Sequence, residues 1–399
     1  MNKTPIAIQR LGSSAILNLN RAYRTNTIYS GLKYKFLQNL QNDLQKIGIP
    51  AITRSNSRHL GFELGPARVT AEQINGLLGQ ERRKRLHSER KSLLSMLQTD
   101  IETQFIDGKD LRPGLINPSI HFCVSKEDRS IFRLCMMLQS VPPQRLLYRQ
   151  ILAVVRDAGH PRSPIIGAFG LASSGQALAC RDRFLKWGSS SEAKRKGLQC
   201  SMQLAVCIAV PPYCYLRGGK LVAALAASTL VADLFYKKYC PDRLEVISTT
   251  SARGLHSPIF NRVMVRPGGL YKRIGETSGY STLIFSRATL SSARALVKRR
   301  DGFCPDTRTI QMLKRALNLC NAPREQIMRL GVRKGVYLAV EGRSGSSPYQ
   351  NSASAWPTKD EIVGYWKTHL VPKCLERADI VQKIAQSNCH ELLNELVMV

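Results

Sequence analysis

Residues 215–228 read YLRGGKLVAALAAS: an Arg, two Gly and a Lys set directly before a run of apolar residues. The run reads as a buried helix. The residues before it are either a cradle for a phosphate or a tight turn. A helix that begins at such a loop leaves unpaired backbone N–H groups and the positive end of its dipole there. Gly218 and Gly219 let a phosphate approach the backbone closely, with Gly219 expected at positive φ, and Arg217 and Lys220 add charge. The stretch is not a P-loop, because G-x-x-x-x-G-K-[ST] is absent, and it is not a dinucleotide fingerprint.

The flanks decide what the loop joins. "SPIIGAFGLASS", 163–174, and "LQCSMQLAVCIAV", 198–210, are continuous apolar runs and read as buried strands. After the loop a helix is expected from about Lys220 to Tyr239. "DRLEVISTTSARG", 242–254, is a strand that ends in hydroxyl residues, and "HSPIFNRVMV", 256–265, is a turn and a short segment. "LYKRIGETSGYSTLIFS", 270–286, reads as two strands around Gly275–Gly279. The order predicts a βαβ unit in a mixed α/β (α+β) domain.

Both ends of the chain read as helical. "SGLKYKFLQNLQNDLQKIGI" places Leu32, Phe36, Leu37, Leu40, Leu44 and Ile47 at helical spacing. A second run begins near Thr70, a candidate cap, and holds "ERRKRLHSERK", 81–91. Within it Arg82, Arg83, Lys84, Arg85, Arg90 and Lys91 form either a solvated helix face or a face that tracks phosphates. Residues 107–120 are turn-rich, and the next stretch, to about 158, carries a short helix and a Pro-Pro break. Residues 287–399 return to helix, interrupted by a Gly/Ser/Asn-rich loop at 341–356. The resulting division is a basic helical region over 1–108, an α/β core over 109–290 and a helical region over 291–399.

The chain of 399 residues carries 59 Lys and Arg against 28 Asp and Glu, a formal net charge of +31. Solubility is served by a charge of only about 2–8. The excess points to a polyanionic partner, nucleic acid first and an anionic membrane surface second. The eleven cysteines show no C-x-x-C pair, so neither a zinc ribbon nor a redox motif is visible. Cys200, Cys207 and Cys214 recur every seventh residue, but the residues between them read as strand and turn. No secretory signal is visible, and no apolar stretch reaches membrane-spanning length uninterrupted. With unpaired cysteines this favours a reducing cytoplasm. No metal ligand set and no cofactor is implied.

Acyl transfer needs a base near an amine and an acid for a departing thiolate. "QLAVCIAVPPY" holds no carboxylate, and the segment after the second strand offers Phe260 where a Tyr would serve. Tyr271 substitutes only if the fold brings it close. His256 and Ser257 near Thr249, Thr250 and Ser251 form the most suggestive cluster, with turn capping as its plain alternative. No catalytic residue is assigned.

Two resemblances bear on these residues. Strand, Gly-rich loop, helix, strand, short segment and two strands resembles the GNAT acyltransferase fold, in which such a loop holds the pyrophosphate of acyl-CoA. "LRGGKL" departs from that fold's Q/R-x-x-G-x-G/A pattern. More specifically, "IIGAFGLASS", "RDRFLKWG", "GGKLVAALAAS", "TTSARGLHSPIFNR" and "YKRIGETSGY" occur in order and resemble the DruA family of Druantia anti-phage defence proteins, over about residues 110–300. That resemblance implies an antiviral role beside other Druantia subunits, including a helicase-like protein. It carries the family motif onto Arg181, Asp182, Trp187, Gly219, Lys220, Thr249, Thr250, Gly254, Asn261, Arg262, Gly275 and Thr277, with no role attached to any of them. Two functions follow: a nucleic-acid-binding subunit, with DNA as the polyanion, or a GNAT-like transferase or nucleotide-sensing enzyme that uses the 217–220 loop.

The cysteine spacing makes one direct prediction. Chelators leave the melting temperature unchanged, and elemental analysis finds no stoichiometric zinc; a drop of several degrees on chelation would contradict it.

Overall fold

The computed structural model describes residues 13–55, 60–65, 70, 73, 76, 78–80, 82–88, 101–139, 146–188, 191–251, 254–280, 285–304, 309–341 and 356–389. The chain divides into two compact units, residues 1–74 with 280–331 and residues 75–279 with 332–399. Composition drew its boundaries along the chain, near 108 and 290, whereas contacts group the helices after 280 with the N-terminal helix.

The larger unit is built on a seven-stranded mixed sheet. Its strands are β3 (Pro118–Phe122), β4 (Gln150–Asp157), β5 (Ile165–Ser173), β6 (Ser201–Ala209), β7 (Val246–Thr250), β8 (Lys272–Tyr280) and β9 (Arg333–Val340). They lie in the order β3-β4-β5-β6-β7-β9-β8. The ladders from β3 to β6 are antiparallel, β6 and β7 run parallel, and β7 and β9 are antiparallel. The α/β core and its βαβ unit are therefore present.

Helices cover both faces of the sheet because its central strands are apolar on both. Ile151, Ala153, Val155 and Phe169 point into a cluster with Leu221, Val222 and Leu225 of α5 (Gly218–Leu225). Val154, Ile165, Ala168 and Val206 point the other way, onto Ile131, Leu134 and Cys135 of α2 (Lys126–Leu138). Helix α2 opens on a capping box between Ser125 and Asp128. Between β5 and β6 lie the short helices α3 (Ala179–Phe184) and α4 (Ser191–Gln199). Helices α10 (Lys359–Tyr365), α11 (Val371–Leu375) and α12 (Ala378–Ala385) close the chain, and Trp366 and Val371 join the first cluster.

Several expected elements differ. The helix expected over 220–239 is two, α5 and α6 (Thr229–Tyr239), because Ser228 adopts an extended backbone between them. By length and composition residues 218–239 could cross a membrane, but 67% of the most apolar 18-residue window within them is buried inside the protein. The pair of strands expected over 270–286 is one strand, β8, with 281–284 outside the described residues. The helical reading of 287–399 missed β9, and the reading of 121–158 missed β4. Both are largely buried, so they lack the alternation that marks a half-exposed strand. The 341–356 loop lies outside the described residues except at its two ends.

The smaller unit holds α1 (Ser13–Gln45), a hairpin of β1 (Ala51–Ser55) and β2 (Leu60–Leu64), and α7 (Arg287–Asp301), α8 (Thr309–Leu319) and α9 (Arg324–Arg329). The hairpin was not expected in a region read as helical. Phe36, Leu37, Leu40 and Leu44 of α1 are buried as their spacing predicts. Asp43 fixes the start of α7 by accepting from Ser286 N–H at 2.7 Å and Thr289 Oγ1 at 2.6 Å. Thr70 caps as expected, accepting from Gln73 N–H at 3.2 Å.

One buried polar node ties the sheet to the turn before α5. Tyr213 donates to Asp157 Oδ2 at 2.9 Å, and Asp157 Oδ1 accepts from Asn117 N–H at 2.8 Å and Gly159 N–H at 3.0 Å. Burial pushes the Tyr213 phenol far above its ordinary range, so it stays a donor at every working pH. Tyr213→Phe strips one partner from a buried carboxylate and is expected to lower the unfolding free energy by about 1–3 kcal/mol in urea titration, with Asp157→Ala costing more; an unchanged midpoint for both would exclude this role.

Candidate functional site

The site follows from how briefly β6 and β7 pair. Their parallel ladder joins Ser201 to Val246, Met202 to Ile247 and Gln203 to Ser248, and no further pair forms. A last tie is made by Thr249, whose Oγ1 donates to Leu204 O at 2.8 Å. Beyond it the strands part, and a cavity of about 490 Å³ opens at their C-terminal ends. On the β6 side Cys207, Ile208, Gly219 and Lys220 line it; on the other side are Thr249, Thr250, His256, Phe260 and Lys334.

The loop at 213–220 forms one wall. Residues Tyr213–Leu216 make a 3-10 turn, and Trp366 Nε1 pins it by donating to Leu216 O at 2.8 Å. Arg217 then takes the left-handed conformation, φ 57° and ψ 31°, and α5 begins at Gly218 with no side chain capping it. The positive φ expected at Gly219 thus falls on Arg217. Gly218 is the glycine that the turn requires, since a Cβ there would lie 2.6 Å from Tyr213 O. At Gly219 a Cβ would meet Ile259 at 3.4 Å, an ordinary contact.

Lys220 is buried, and its Nζ donates to Asn261 O. Burial first, then the charges of Arg217 and Arg262, lowers its pKa to about 8. Burial likewise lowers Lys334. Among the described residues no Asp or Glu lines the cavity. The cleft therefore carries cations without a carboxylate of its own, a lining that is electrostatically complementary to an anion. Lys334 was not anticipated from sequence, because it lies on β9, a strand that the pattern hid. Its neighbour Gly335 lets the loop after β7 come close: a Cβ there would lie 2.0 Å from Leu255 O.

The remaining motif residues separate into two groups. Thr249 and Thr250 line the cleft, Asn261 holds Lys220, and Arg262 acts on its charge. Thr277 Oγ1 accepts from Lys334 N–H at 3.1 Å and so positions that strand. Arg181, Asp182 and Trp187 do not line the cleft. Arg181 is fully buried, donates to Asp182 Oδ1 at 2.8 and 2.6 Å and to Gly175 O at 2.9 Å, and lies 5.0 Å from the centre of the Trp187 ring. Burial pushes the Asp182 carboxyl up, and Lys194 and Arg181 outweigh it and hold it low. Gly275, at φ 151°, faces Cys180 beside this node, and Gly254, at φ 112°, accepts from Ser251 Oγ.

Of the catalytic possibilities, Tyr271 is occupied, its hydroxyl donating to Ala223 O at 2.8 Å. His256 and Ser257 both reach the cavity, where Ser257 N–H donates to the Tyr337 hydroxyl at 2.9 Å. Burial pushes the Cys207 and Cys214 thiols to about 12, which keeps them protonated and unreactive. Among the described residues no three His, Cys, Asp or Glu side chains gather as a metal site.

The basic run lies apart from the cleft's lining. Residues 82–88 are helical, with Leu86 buried in the α2 cluster and Arg83 and Lys84 exposed. Arg85 donates to Gln139 O at 2.6 Å, and Arg82 is half-buried. Arg90 and Lys91 lie outside the described residues.

Fold and site together define a strongly basic mixed-sheet protein with a cation-lined cleft at a parallel strand pair. Residues 69–312, more than half of the chain, match the family model described as Druantia protein DruA, and the chain belongs to that family. It is accordingly a component of a Druantia anti-phage defence system. A relative, Druantia protein DruA from Escherichia coli (strain UMEA 4076-1), is 26% identical over 337 residues, 79% of this chain and 80% of the relative. No solved structure matches the chain.

The depressed Lys220 carries a pH signature. Its folded pKa lies below the unfolded value, so its burial opposes folding at neutral pH and that penalty fades as pH rises from about 8 toward 10.5. Lys220→Met should therefore gain stability relative to wild type at pH 7, with the gap narrowing at pH 9–10 in thermal melts. A gap independent of pH would show that Lys220 is not desolvated.

Proposed function

We propose that the chain is the nucleic-acid-binding subunit of its Druantia system, with DNA as the polyanion, acting beside other Druantia subunits that include a helicase-like protein. The net charge of +31 carries this reading. The exposed Arg83 and Lys84 on an anchored helix support it, since a rigid basic face tracks a phosphate backbone without reading bases. Affinity for DNA should fall about 10³-fold between 50 and 200 mM salt if about six phosphates are neutralised. Absence of binding to both DNA and RNA at low salt would overturn it.

A second reading concerns the cleft. The large unit would be a GNAT-like domain that holds a phosphate-bearing small molecule, as a transferase or as a nucleotide sensor. Its support is the parallel β6–β7 pair around the 217–220 loop, the two strands that follow, and the cationic lining. Against transfer chemistry stand the occupied Tyr271 and the lack of a carboxylate in the cleft, which favours sensing. Lys220→Ala should then abolish phage defence while the protein stays folded, with Arg262→Ala weakening it. Full protection by both variants would reduce the loop to a turn. Retained DNA affinity in a defence-dead variant would point to the small ligand, and lost affinity to the DNA backbone.

A further inference from the structure

Helix α7 carries charge that its own stability does not explain. Its buried side, Thr289, Ser292, Ala293, Leu296 and Val297, packs within the smaller unit. Its exposed side bears Arg287, Arg294 and Lys298, with no acidic residue before Asp301. At 3.6 residues per turn these three fall within about 40° of one another, along about 16 Å of helix. Lys298, Arg299 and Arg300 in the last turn suit the helix dipole, but Arg287 occupies the first position, where the dipole disfavours a cation. Folding alone would not select it there. Among the described residues Arg287, Lys298 and Arg299 form no ion pair, and Asp301 is engaged by Arg315 at 2.8 and 2.9 Å.

The end of this stripe is aromatic. Gly302 closes α7 in the left-handed conformation, and Phe303 follows, 72% exposed. A lone exposed apolar side chain needs no explanation. An exposed ring just past a run of three cations, with only Asp301 and the capping Gly302 between, is a different arrangement. On α1, Lys33 lies 4.8 Å over the ring of Tyr29, and the Arg300 and Arg315 guanidinium groups are within electrostatic reach of that phenol. Basic groups of α1, α7 and α8 therefore gather near the Tyr29 ring, in the middle of α1.

We infer that this face is a platform for single-stranded nucleic acid, with backbone phosphates on Arg287 and Lys298, Arg299 adding charge about 100° round the helix from Lys298, and an unstacked base on Phe303. The inference rests on the nucleic-acid reading and makes it more specific. Duplex DNA offers phosphates to the same cations but no free base face, whereas a single strand offers both. The platform's residues belong to the smaller unit, whereas residues 82–88 and the cleft belong to the larger.

The test is fluorescence anisotropy of the full chain with a labelled oligo-dT and with a duplex of equal length, in low salt. Phe303→Ala is expected to weaken single-strand binding roughly 5- to 150-fold, the loss of one stacked base, while leaving duplex affinity and the salt slope unchanged. Lys298→Glu with Arg299→Glu should weaken both ligands and reduce the salt slope. All these positions are exposed, and circular dichroism melts check that the fold is kept. If wild type binds the oligonucleotides and all variants bind equally well, the platform is refuted and the nucleic-acid reading stands on the 82–88 helix. Equal loss on single strand and duplex in Phe303→Ala would refute stacking. If wild type binds neither, both readings fall.

Discussion

The parallel pairing of β6 and β7 stops after three residues, and most of the larger unit is arranged around that fact. A parallel pair needs a crossover, and here α5 and α6 supply it, packed into the core on one face. The crossover must start at the C-terminal end of β6, which places the start of α5 beside the gap. Because β6 remains paired to β5, and β7 to β9, each strand is held while the space between them opens. The cleft is thus a product of strand pairing, with residues 256–260 after β7 supplying part of its lining.

What lines the cleft works against stability. Lys220 and Lys334 are desolvated without a carboxylate beside them, and burial of unpaired charge is among the more destabilising arrangements available to a protein. The surroundings carry the offset: the Tyr213–Asp157 bond, the Trp366 bond to Leu216 and the apolar packing of α5 all hold the wall in place. An anion between the two lysines would satisfy them with little rearrangement, which is the sense in which the site is preorganised. The Arg181–Asp182–Trp187 node is the contrasting case. Its charge is buried and fully partnered, so it fixes α3 and α4 and leaves no valence for a ligand.

Legibility in the sequence followed burial pattern. β5 and β6 were readable because each is an apolar run bounded by Gly, Pro or polar residues, and β7 from its Val-Ile start and the hydroxyl residues that follow. β9 was hidden because "RKGVYLAV" is buried and sits among amphipathic helices, and with it went Lys334 and Gly335. The loop at 217–220 was located correctly, but its strained residue was misassigned, since a Gly-Gly pair draws the eye away from an Arg at positive φ. The DruA motif marked residues of two kinds, cleft and scaffold. Sequence alone could not sort Arg181 from Lys220, because the difference lies in which neighbour each one meets.

The claim that the strand gap is an anion site is tested most directly by a crystal structure of the full chain soaked with inorganic pyrophosphate. The account predicts pyrophosphate in the cleft, on the backbone N–H groups at the start of α5 and on Lys220 Nζ, with Lys334 turned toward it. A cleft that stays free of pyrophosphate while the anion binds elsewhere on the same molecule would contradict it.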